Sequence, residues 1–285
     1  MWKIKIPNGM EEEWTLRLYE KGWFSFYIEE AIEQITTDEG YSYQKNPAES
    51  SLLFLSAEEG QRAEDAAALL EIFVSDVEEA EPPAPPAPYE NVELGSGWTL
   101  VYPPFQGEKQ KKEIRIDPQG AFGTGVHMTT RDALSLLAGR DFTGMAAADI
   151  GTGSGILAVT AALKGAAVDA FDIQPVSREV SLQADLNGVK DRIRVFEQNI
   201  LETSLPEKAY DLYIINIGAA ATKKWLKSAG VLPGRPDSVL LVSGIVDWAE
   251  AEIRRIFGEY GFYPMEHKQT KEWHTFLFAK GERHE

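Results

Sequence analysis

The second half of the chain alternates short apolar runs with stretches of helical or loop character. Five runs are strand candidates: "MAAADI", "AAVDAFDI", "RIRVFEQNI", "AYDLYIINI" and "SVLLVSG". Strands that alternate with helices are typical of a parallel, doubly wound sheet. The final stretch, "GFYPMEHKQTKEWHTFLFAK", instead predicts two strands joined by a short turn. We therefore predict an α/β domain with a mostly parallel seven-stranded sheet closed by a hairpin.

The front of the chain has a weaker pattern. Strand candidates are "WKIKI", "WFSFYIEEA" and "SSLLFLS", and helical spacing appears in "MEEEWTLRLYEKG" and "AEEGQRAEDAAALLEIF". This order predicts a small α+β domain over residues 1–80. The proline-rich stretch that follows, residues 81–90, favours an extended spacer and predicts a linker to a domain over 91–285. Just after it, "WTLVYPP" and "KKEIRID" predict a short antiparallel pair.

Charge divides the chain more sharply than composition does. Of the 285 residues, the first 100 hold 21 Asp or Glu against 6 Lys or Arg, and the rest hold 24 against 22. Neither part has the clustered bases that a nucleic acid backbone needs, so no direct nucleic acid partner is expected. The acidic front either attracts a basic partner or only maintains solubility. No apolar run reaches membrane-spanning length, and the absence of cysteine predicts a cytoplasmic protein.

A glycine-rich turn is the first candidate for chemistry. Gly151, Gly153 and Gly155 follow a predicted strand and open a helix, where backbone N–H groups can meet a ligand. Their spacing, G-x-G-x-G, differs from the G-x-G-x-x-G of dinucleotide-binding proteins, and a tight structural turn is the alternative. Asp172 ends the next strand, where a carboxylate can accept hydrogen bonds from both ribose hydroxyls of an adenosine. Asp149 precedes the glycines, and we favour a supporting role in which it holds the amides of the turn.

Two further places have polar residues beside apolar runs. Asn216 follows "YDLYII", at the strand end where open α/β sheets bind ligands; it either caps the strand or holds an amine through its oxygen. In "AFGTGVHMTT", Thr129 with Asp132 resembles a capping box. His127 is more typical of a hydrogen-bonded loop residue than of a base. No metal-ligand spacing is present.

Several motifs follow one another along the chain in the same order as in a known protein family. They are "IDPQGAFGTGVHMTT", "ADIGTGSGILAV", "FDIQP", "INI" and "LVSGIV". Over about Ile116 to Lys280 the chain resembles the ribosomal protein L-eleven methyltransferases (PrmA), which use S-adenosylmethionine. The resemblance implies a class I methyltransferase, Rossmann-like fold. The family joins its domains through a tryptophan-bearing helical segment, where this chain has "EPPAPPAP".

The resemblance also implies a cofactor and a reaction. S-adenosylmethionine would contact Thr130, Gly151, Asp172 and Asn216, with Gly153, Gly155 and Asp149 completing the turn and Phe122 packing on the cofactor or in the core. Asn216 would position an amine for methyl transfer. The implied function is methylation of lysine or N-terminal amines of a basic substrate, a ribosomal protein of the large subunit, presented by the front domain. The alternatives are the same chemistry on another protein or small amine, and a non-catalytic adenosine-ligand binder. An NAD dehydrogenase is disfavoured by the glycine spacing.

Overall fold

The computed structural model of this chain describes residues 1–21, 26–37, 40–46, 48–56, 62–81, 89–118, 123–200, 209–229 and 234–281. The chain divides into two compact units. The front unit comprises Met1–Thr37 with Tyr41–Ala87, and the rear unit comprises Asp38–Gly40 with Pro88–Glu285. Most of the predicted linker, residues 82–88, lies outside the described residues, so its conformation stays a prediction.

The front unit is built on an antiparallel sheet. Its elements are β1 (Trp2–Ile6), α1 (Glu11–Glu20), β2 (Phe26–Glu29), β3 (Ile32–Thr37), β4 (Gly40–Lys45), β5 (Ser51–Leu55), α2 (Ala63–Leu70) and β6 (Val77–Glu79). One sheet has the order β2-β5-β1-β6, and β3 pairs with β4. Alternation buries Ile4 and Ile6 of β1, as a strand with one covered face requires. They join Leu18 of α1 and Leu70 of α2 in the core.

A buried carboxylate holds the start of α1 in this unit. Glu11 accepts hydrogen bonds from the Ser51 hydroxyl at 2.6 Å, the Lys45 ammonium at 2.7 Å and the Gly9 amide at 3.0 Å. The bond from Lys45 and the bond from Ser51 lower the pKa of Glu11 from 4.5 to about 2. Glu11 therefore stays charged although the sheet and helix shield it from water.

The rear unit contains the predicted α/β sheet. Its elements are β7 (Val92–Gly95), β8 (Trp98–Val101), β9 (Glu113–Arg115), α3 (Met128–Ala138), β10 (Ala146–Ile150), α4 (Ile156–Leu163), β11 (Ala167–Asp172), α5 (Ser177–Asn187), β12 (Ile193–Glu197), β13 (Tyr210–Ile215), α6 (Gly218–Ala229), β14 (Gly234–Val246), α7 (Asp247–Glu259), β15 (Phe262–Thr270) and β16 (Trp273–Lys280). The strand order is β12-β11-β10-β13-β14-β16-β15, and β16 alone runs against the direction of the other six strands. The predicted seven-stranded, mostly parallel sheet is confirmed.

Both faces of this sheet are covered by helices. Leu212 and Ile214 of β13 face a core shared with α3, α4 and α5, whereas Tyr213 and Ile215 face a core shared with α6 and α7. A strand that is buried on both sides loses the alternation of an exposed strand, which explains the continuous apolar run in the sequence. None of the helices in the described ranges combines the length and the apolar character that crossing a bilayer requires.

One strand pairing differs from the prediction. The antiparallel pair expected from "WTLVYPP" and "KKEIRID" is wrong, because β8 pairs with β9 in parallel. The antiparallel partner of β8 is β7, reached through a tight turn in which Gly95, Ser96 and Gly97 all have positive φ. The connection from Tyr102 to Lys112 is then long enough to cross over and bring β9 in parallel. The hairpin β7–β8 was missed because its first strand is short and polar.

Candidate functional site

The carboxyl ends of four parallel strands form one edge of the rear sheet. Strand β10 ends at Ile150, β11 at Asp172, β13 at Ile215 and β14 at Val246. The order of strands reverses at β10, which lies between β11 and β13. Ligands of open α/β sheets bind outside the carboxyl ends at such a switch point. The glycine turn, Asp172 and Asn216 all lie at this edge, as the sequence predicted.

The glycine turn needs glycine for conformation and for space. Gly151, Gly153 and Gly155 have φ of 71°, 53° and 81°, in the left-handed region. A Cβ on Gly151 would lie 2.2 Å from Cγ2 of Ile217, and one on Gly155 would lie 2.9 Å from Val180. The turn therefore packs against the loop that follows β13 and against α5, and any side chain at either position would force these neighbours to move.

Asp172 is oriented by backbone amides on both sides. Its Oδ2 accepts a hydrogen bond from the Gly153 amide at 2.8 Å, and its Oδ1 accepts one from the Gln174 amide at 2.9 Å. Each carboxylate oxygen keeps a further lone pair, and the side chain is only partly buried. The carboxylate is thus fixed next to the glycine turn with capacity left for two donors.

Asp149 lies beneath the turn and is only 1% exposed. Its Oδ2 accepts hydrogen bonds from the Thr152 hydroxyl at 2.6 Å and from the Ala158 amide at 3.1 Å. Burial raises the pKa of Asp149 from 3.8 to about 7, although both hydrogen bonds oppose the shift. These contacts favour the supporting role over direct contact with a ligand.

The second glycine loop meets the first one. The Ser154 hydroxyl donates to the carbonyl oxygen of Gly123 at 2.9 Å, so the two loops are joined directly. The neighbouring carbonyls of Thr124 and Gly125 accept from the Tyr102 hydroxyl at 2.9 Å and from Arg131 Nε at 2.8 Å. Sequence reasoning missed Ser154 and Tyr102, since neither belongs to a spacing that signals a long-range contact. Phe122 lies outside the described residues.

The segment that leads to this loop is held by side-chain amides of α5. Asn187 accepts from the backbone N–H of Arg115 at 2.9 Å and donates to its carbonyl at 2.7 Å. Gln183 makes the same two contacts with Asp117, at 2.9 and 2.8 Å. The two side-chain amides lie one helical turn apart, so α5 provides this segment with the hydrogen bonds that a neighbouring strand would otherwise provide. The helix that follows Asp172 therefore also holds the segment at residues 115–117, which precedes the second loop in sequence.

Helix α3 begins two residues earlier than the predicted capping box. The N-cap is His127, whose Nδ1 accepts from the Thr129 amide at 3.4 Å and lies 2.8 Å from the Thr129 hydroxyl. Burial lowers the pKa of His127, and its ring stands edge-on to Trp273 with centroids 5.0 Å apart. The capping box at Thr129 and Asp132 is thus wrong, because an imidazole nitrogen can accept the amide bond that a hydroxyl usually takes.

Thr130 and Asn216 complete the predicted residues. Thr130 is fully buried at the start of α3, and its Oγ1 has no hydrogen-bond partner among the described residues. Such a hydroxyl is costly to leave unpaired and marks a place where a ligand could bond. Asn216 follows β13, and a Cβ on Gly244 would lie 3.0 Å from its Oδ1. Gly244 leaves the room that the amide oxygen occupies. Within the described ranges no cluster of three His, Asp or Glu side chains forms a metal site.

Comparison with known proteins identifies a family whose members share this sequence pattern. Residues 3–281 match the family model "Ribosomal protein L11 methyltransferase (PrmA)". The chain is similar to the protein of that name from Carboxydothermus hydrogenoformans, with 34% identity over 67% of this chain and 63% of that protein, somewhat less than two thirds of its length. It is also similar to the one from Thermotoga maritima, with 29% identity over 98% of each.

A solved structure agrees with these sequence relatives. The ribosomal protein L11 methylase from Lactobacillus delbrueckii subsp. bulgaricus is 26% identical and superposes with a TM-score of 0.60, covering 68% of this chain and all of that chain. The family match extends through the front unit, whereas the motifs in the sequence supported a resemblance only from about Ile116.

Proposed function

This chain belongs to the ribosomal protein L11 methyltransferase (PrmA) family, and on that premise we propose that it methylates amine nitrogens of a ribosomal protein. The methyl donor would be S-adenosylmethionine, and the acceptors would be lysine or N-terminal amines. The observation that carries the proposal is the hydrogen bond between Ser154 and Gly123, which joins the two glycine loops at the sheet edge that also holds Asp172 and Asn216.

The residues at this edge fit an adenosine-bearing cofactor. The absence of a side chain at Gly151 lets the turn pack close to Ile217. The amides of Gly151 and Thr152 donate to the Phe171 carbonyl and the amide of Gly153 donates to Asp172, so the turn is held beside that carboxylate. Asp172 is fixed by the amides of Gly153 and Gln174 and has lone pairs left for two ribose hydroxyls. The unpaired hydroxyl of Thr130 offers a further polar contact. These residues would hold the cofactor, and Asp149 would support the turn from below.

Asn216 would orient the acceptor amine. When bound, S-adenosylmethionine supplies a methyl group that its sulfonium already activates, so the protein contributes mainly positioning. The Asn216 side-chain oxygen would accept an N–H bond from a neutral amine and direct its lone pair. An amine that enters this edge loses water, which lowers its pKa and favours the neutral form. We assign no separate general base.

The front unit would present the substrate. Residues 1–80, the predicted front domain, carry 18 acidic and 6 basic residues, which suits a basic protein partner through charge complementarity. A ribosomal substrate is consistent with a cytoplasmic protein. If the front unit reads the substrate, residues 89–285 alone should bind the cofactor but lose methyl transfer to the protein substrate. Full activity of that shortened chain would remove the front unit from substrate recognition.

Two measurements test the proposal in sequence. Calorimetry should detect S-adenosylmethionine binding and no comparable binding of NAD. Incubation with large-subunit ribosomal proteins and S-adenosylmethionine should then add methyl groups that mass spectrometry locates on amines. Preference for NAD would overturn the methyltransferase proposal. Cofactor binding without any methyl acceptor would favour a non-catalytic binding protein.

A further inference from the structure

The chain just after the proline-rich stretch is attached to one buried tyrosine. The ring of Tyr89 stacks on that of Tyr102, with centroids 4.9 Å apart and planes 17° apart. Asn91 Oδ1 accepts a hydrogen bond from the Tyr102 amide at 3.1 Å. Tyr89 keeps its other face toward solvent and is 46% exposed, whereas Tyr102 is buried. Residues 89–91 are therefore packed onto the rear unit through contacts with both the ring and the backbone of Tyr102.

The opposite end of Tyr102 supports the second glycine loop. Its hydroxyl donates to the Thr124 carbonyl at 2.9 Å. Burial raises the pKa of Tyr102, so the hydroxyl keeps the proton that it donates. A Cβ on Gly125 would lie 2.8 Å from the Tyr102 hydroxyl oxygen and 2.3 Å from Leu100. The loop thus rests directly on the tyrosine, with no space for a side chain between them.

The same loop contacts the glycine turn one residue earlier. Gly123 accepts from the Ser154 hydroxyl at 2.9 Å. Three consecutive contacts therefore run from Tyr89 to Tyr102, from Tyr102 to Thr124, and from Gly123 to Ser154. Arg131 of α3 holds Gly125 independently, so loss of one contact would loosen the loop without releasing it.

We propose that Tyr102 is a positioning residue that couples residues 89–91 to the loop at residues 123–127, and so sets how that loop closes on the glycine turn. The segment after the linker then has a second role besides joining the two parts of the chain. Only the identity of the ligand, S-adenosylmethionine, rests on the proposed function; the coupling itself rests on contacts within the rear unit.

Loop mobility can be measured without any ligand. The chain contains no cysteine, so Val126→Cys creates a single labelling site at a side chain that is 51% exposed in the loop. A nitroxide at this position should show a larger mobile fraction in full-length Tyr102→Phe and Tyr89→Ala. The ratio of docked to mobile label populations should fall about two- to tenfold in Tyr102→Phe, the range expected for one lost hydrogen bond.

Two conservative variants separate coupling from general damage. Tyr89→Phe keeps the stacked ring and should behave like the parent. Tyr260→Phe removes a hydroxyl that donates to the Leu226 carbonyl at 3.5 Å, elsewhere in the rear unit, and should leave the label unchanged. In the Tyr102→Phe background, Tyr89→Ala should increase label mobility by less than it does in the parent, because its effect on the loop depends on the Tyr102 hydroxyl that is already lost.

Calorimetry with S-adenosylmethionine gives a second readout on chains without the label. The Kd should rise about two- to tenfold in Tyr102→Phe and less in Tyr89→Ala, with the parental value in Tyr260→Phe. Parental label mobility in Tyr102→Phe would overturn the proposal, as would a mobile loop in Tyr102→Phe with a parental loop in Tyr89→Ala. If the parent binds no S-adenosylmethionine, the proposed function fails, but label mobility still tests whether Tyr102 positions the loop.

Discussion

Glu11 in the front unit and Asp149 in the rear unit are both shielded from solvent, being 6% and 1% exposed. Glu11 has an ammonium partner, Lys45, and its pKa falls to about 2. Asp149 has a hydroxyl and an amide as partners but no cation among the described residues, and its pKa rises to about 7. The front carboxylate is therefore a charged part of its fold, whereas the rear carboxylate is uncharged or half-charged near neutral pH and supports the glycine turn.

This contrast suggests a division of roles between the two units. The polar side chains around Glu11 in the front unit are paired with each other, although Trp2 Nε1 and Asn8 Oδ1 of the same unit are buried without a partner among the described residues. In the rear unit, Thr130 and Asp172 retain bonding capacity that no described residue uses. Changes in the front unit should therefore alter stability, and changes at the rear edge should alter ligand binding and turnover. Four predictions test this division.

Asn216→Ala should have the largest effect on turnover. A misplaced nucleophile can cost about a hundredfold in rate, and cofactor affinity should fall far less. Asn216→Asp should move the activity profile to higher pH, because a carboxylate favours the protonated, unreactive amine. Steady-state rates across pH, together with calorimetry, check both variants. Parental turnover in both would remove Asn216 from the reaction.

Asp172→Ala should weaken S-adenosylmethionine binding by about 1–3 kcal/mol, the scale of hydrogen bonds to a charged group. Asp185→Ala is the matched control, because it removes an exposed carboxylate that pairs with Lys190 on the surface. Calorimetry should find the control indistinguishable from the parent. Equal affinity of Asp172→Ala and the parent would exclude Asp172 from the ribose contact.

Glu11→Gln should lower the stability of the front unit by about 1–2 kcal/mol while leaving cofactor binding unchanged, because Lys45 and Ser51 lose a charged acceptor. The pKa of Glu11 is lowered from 4.5 to about 2, so its stabilisation is complete above pH 4.5 and is lost as pH falls toward 2. Scanning calorimetry of parent and variant between these limits should show a larger loss of stability on acidification in the parent, because Glu64 and Glu78, whose pKa values are also lowered, remain in both. A loss of cofactor affinity in Glu11→Gln would contradict the division between the units.

Asp149→Asn should have the smallest effect. At pH 5 it should change the free energy of unfolding of the rear unit by less than about 1 kcal/mol, because the amide resembles the protonated acid in shape and bonding. The pKa of Asp149 is raised from 3.8 to about 7, so the parent's rear unit should lose stability as pH rises through this window. The variant should lack that dependence. Parallel pH dependence in parent and variant would show that Asp149 is already ionised at low pH.

Local patterns were sufficient to predict the fold of the rear unit. The apolar strand before Asn216 is buried on both faces, and the glycines at 151, 153 and 155 take the conformations that their residue type implies. The parallel pairing of β8 and β9 was not predictable, because it depends on which strand occupies the antiparallel side of β8. Periodicity carries no information about that choice.

Within the candidate site, the location of Asp172 and Asn216 at the sheet edge could be predicted, but several contacts could not. Asp172 and Asn216 follow from the position of strand ends. The bond from Ser154 to Gly123 and the bond from Tyr102 to Thr124 join residues far apart in sequence, and neither residue type nor spacing signals them. His127 as an N-cap was missed because hydroxyl and carboxylate side chains are the usual caps.

The strand order of the rear sheet also affects the tendency of the protein to aggregate. Its two edges are β12, which carries Arg194 and Glu197, and β15, which carries Pro264, Glu266 and Lys268. Charges and proline on an edge hinder another copy from adding a strand to it. A sheet with so many apolar strands in its interior is thereby bounded by edges that resist intermolecular pairing. Replacing the charges of β15 with valine should promote aggregation at high protein concentration, even where the folded structure is unchanged.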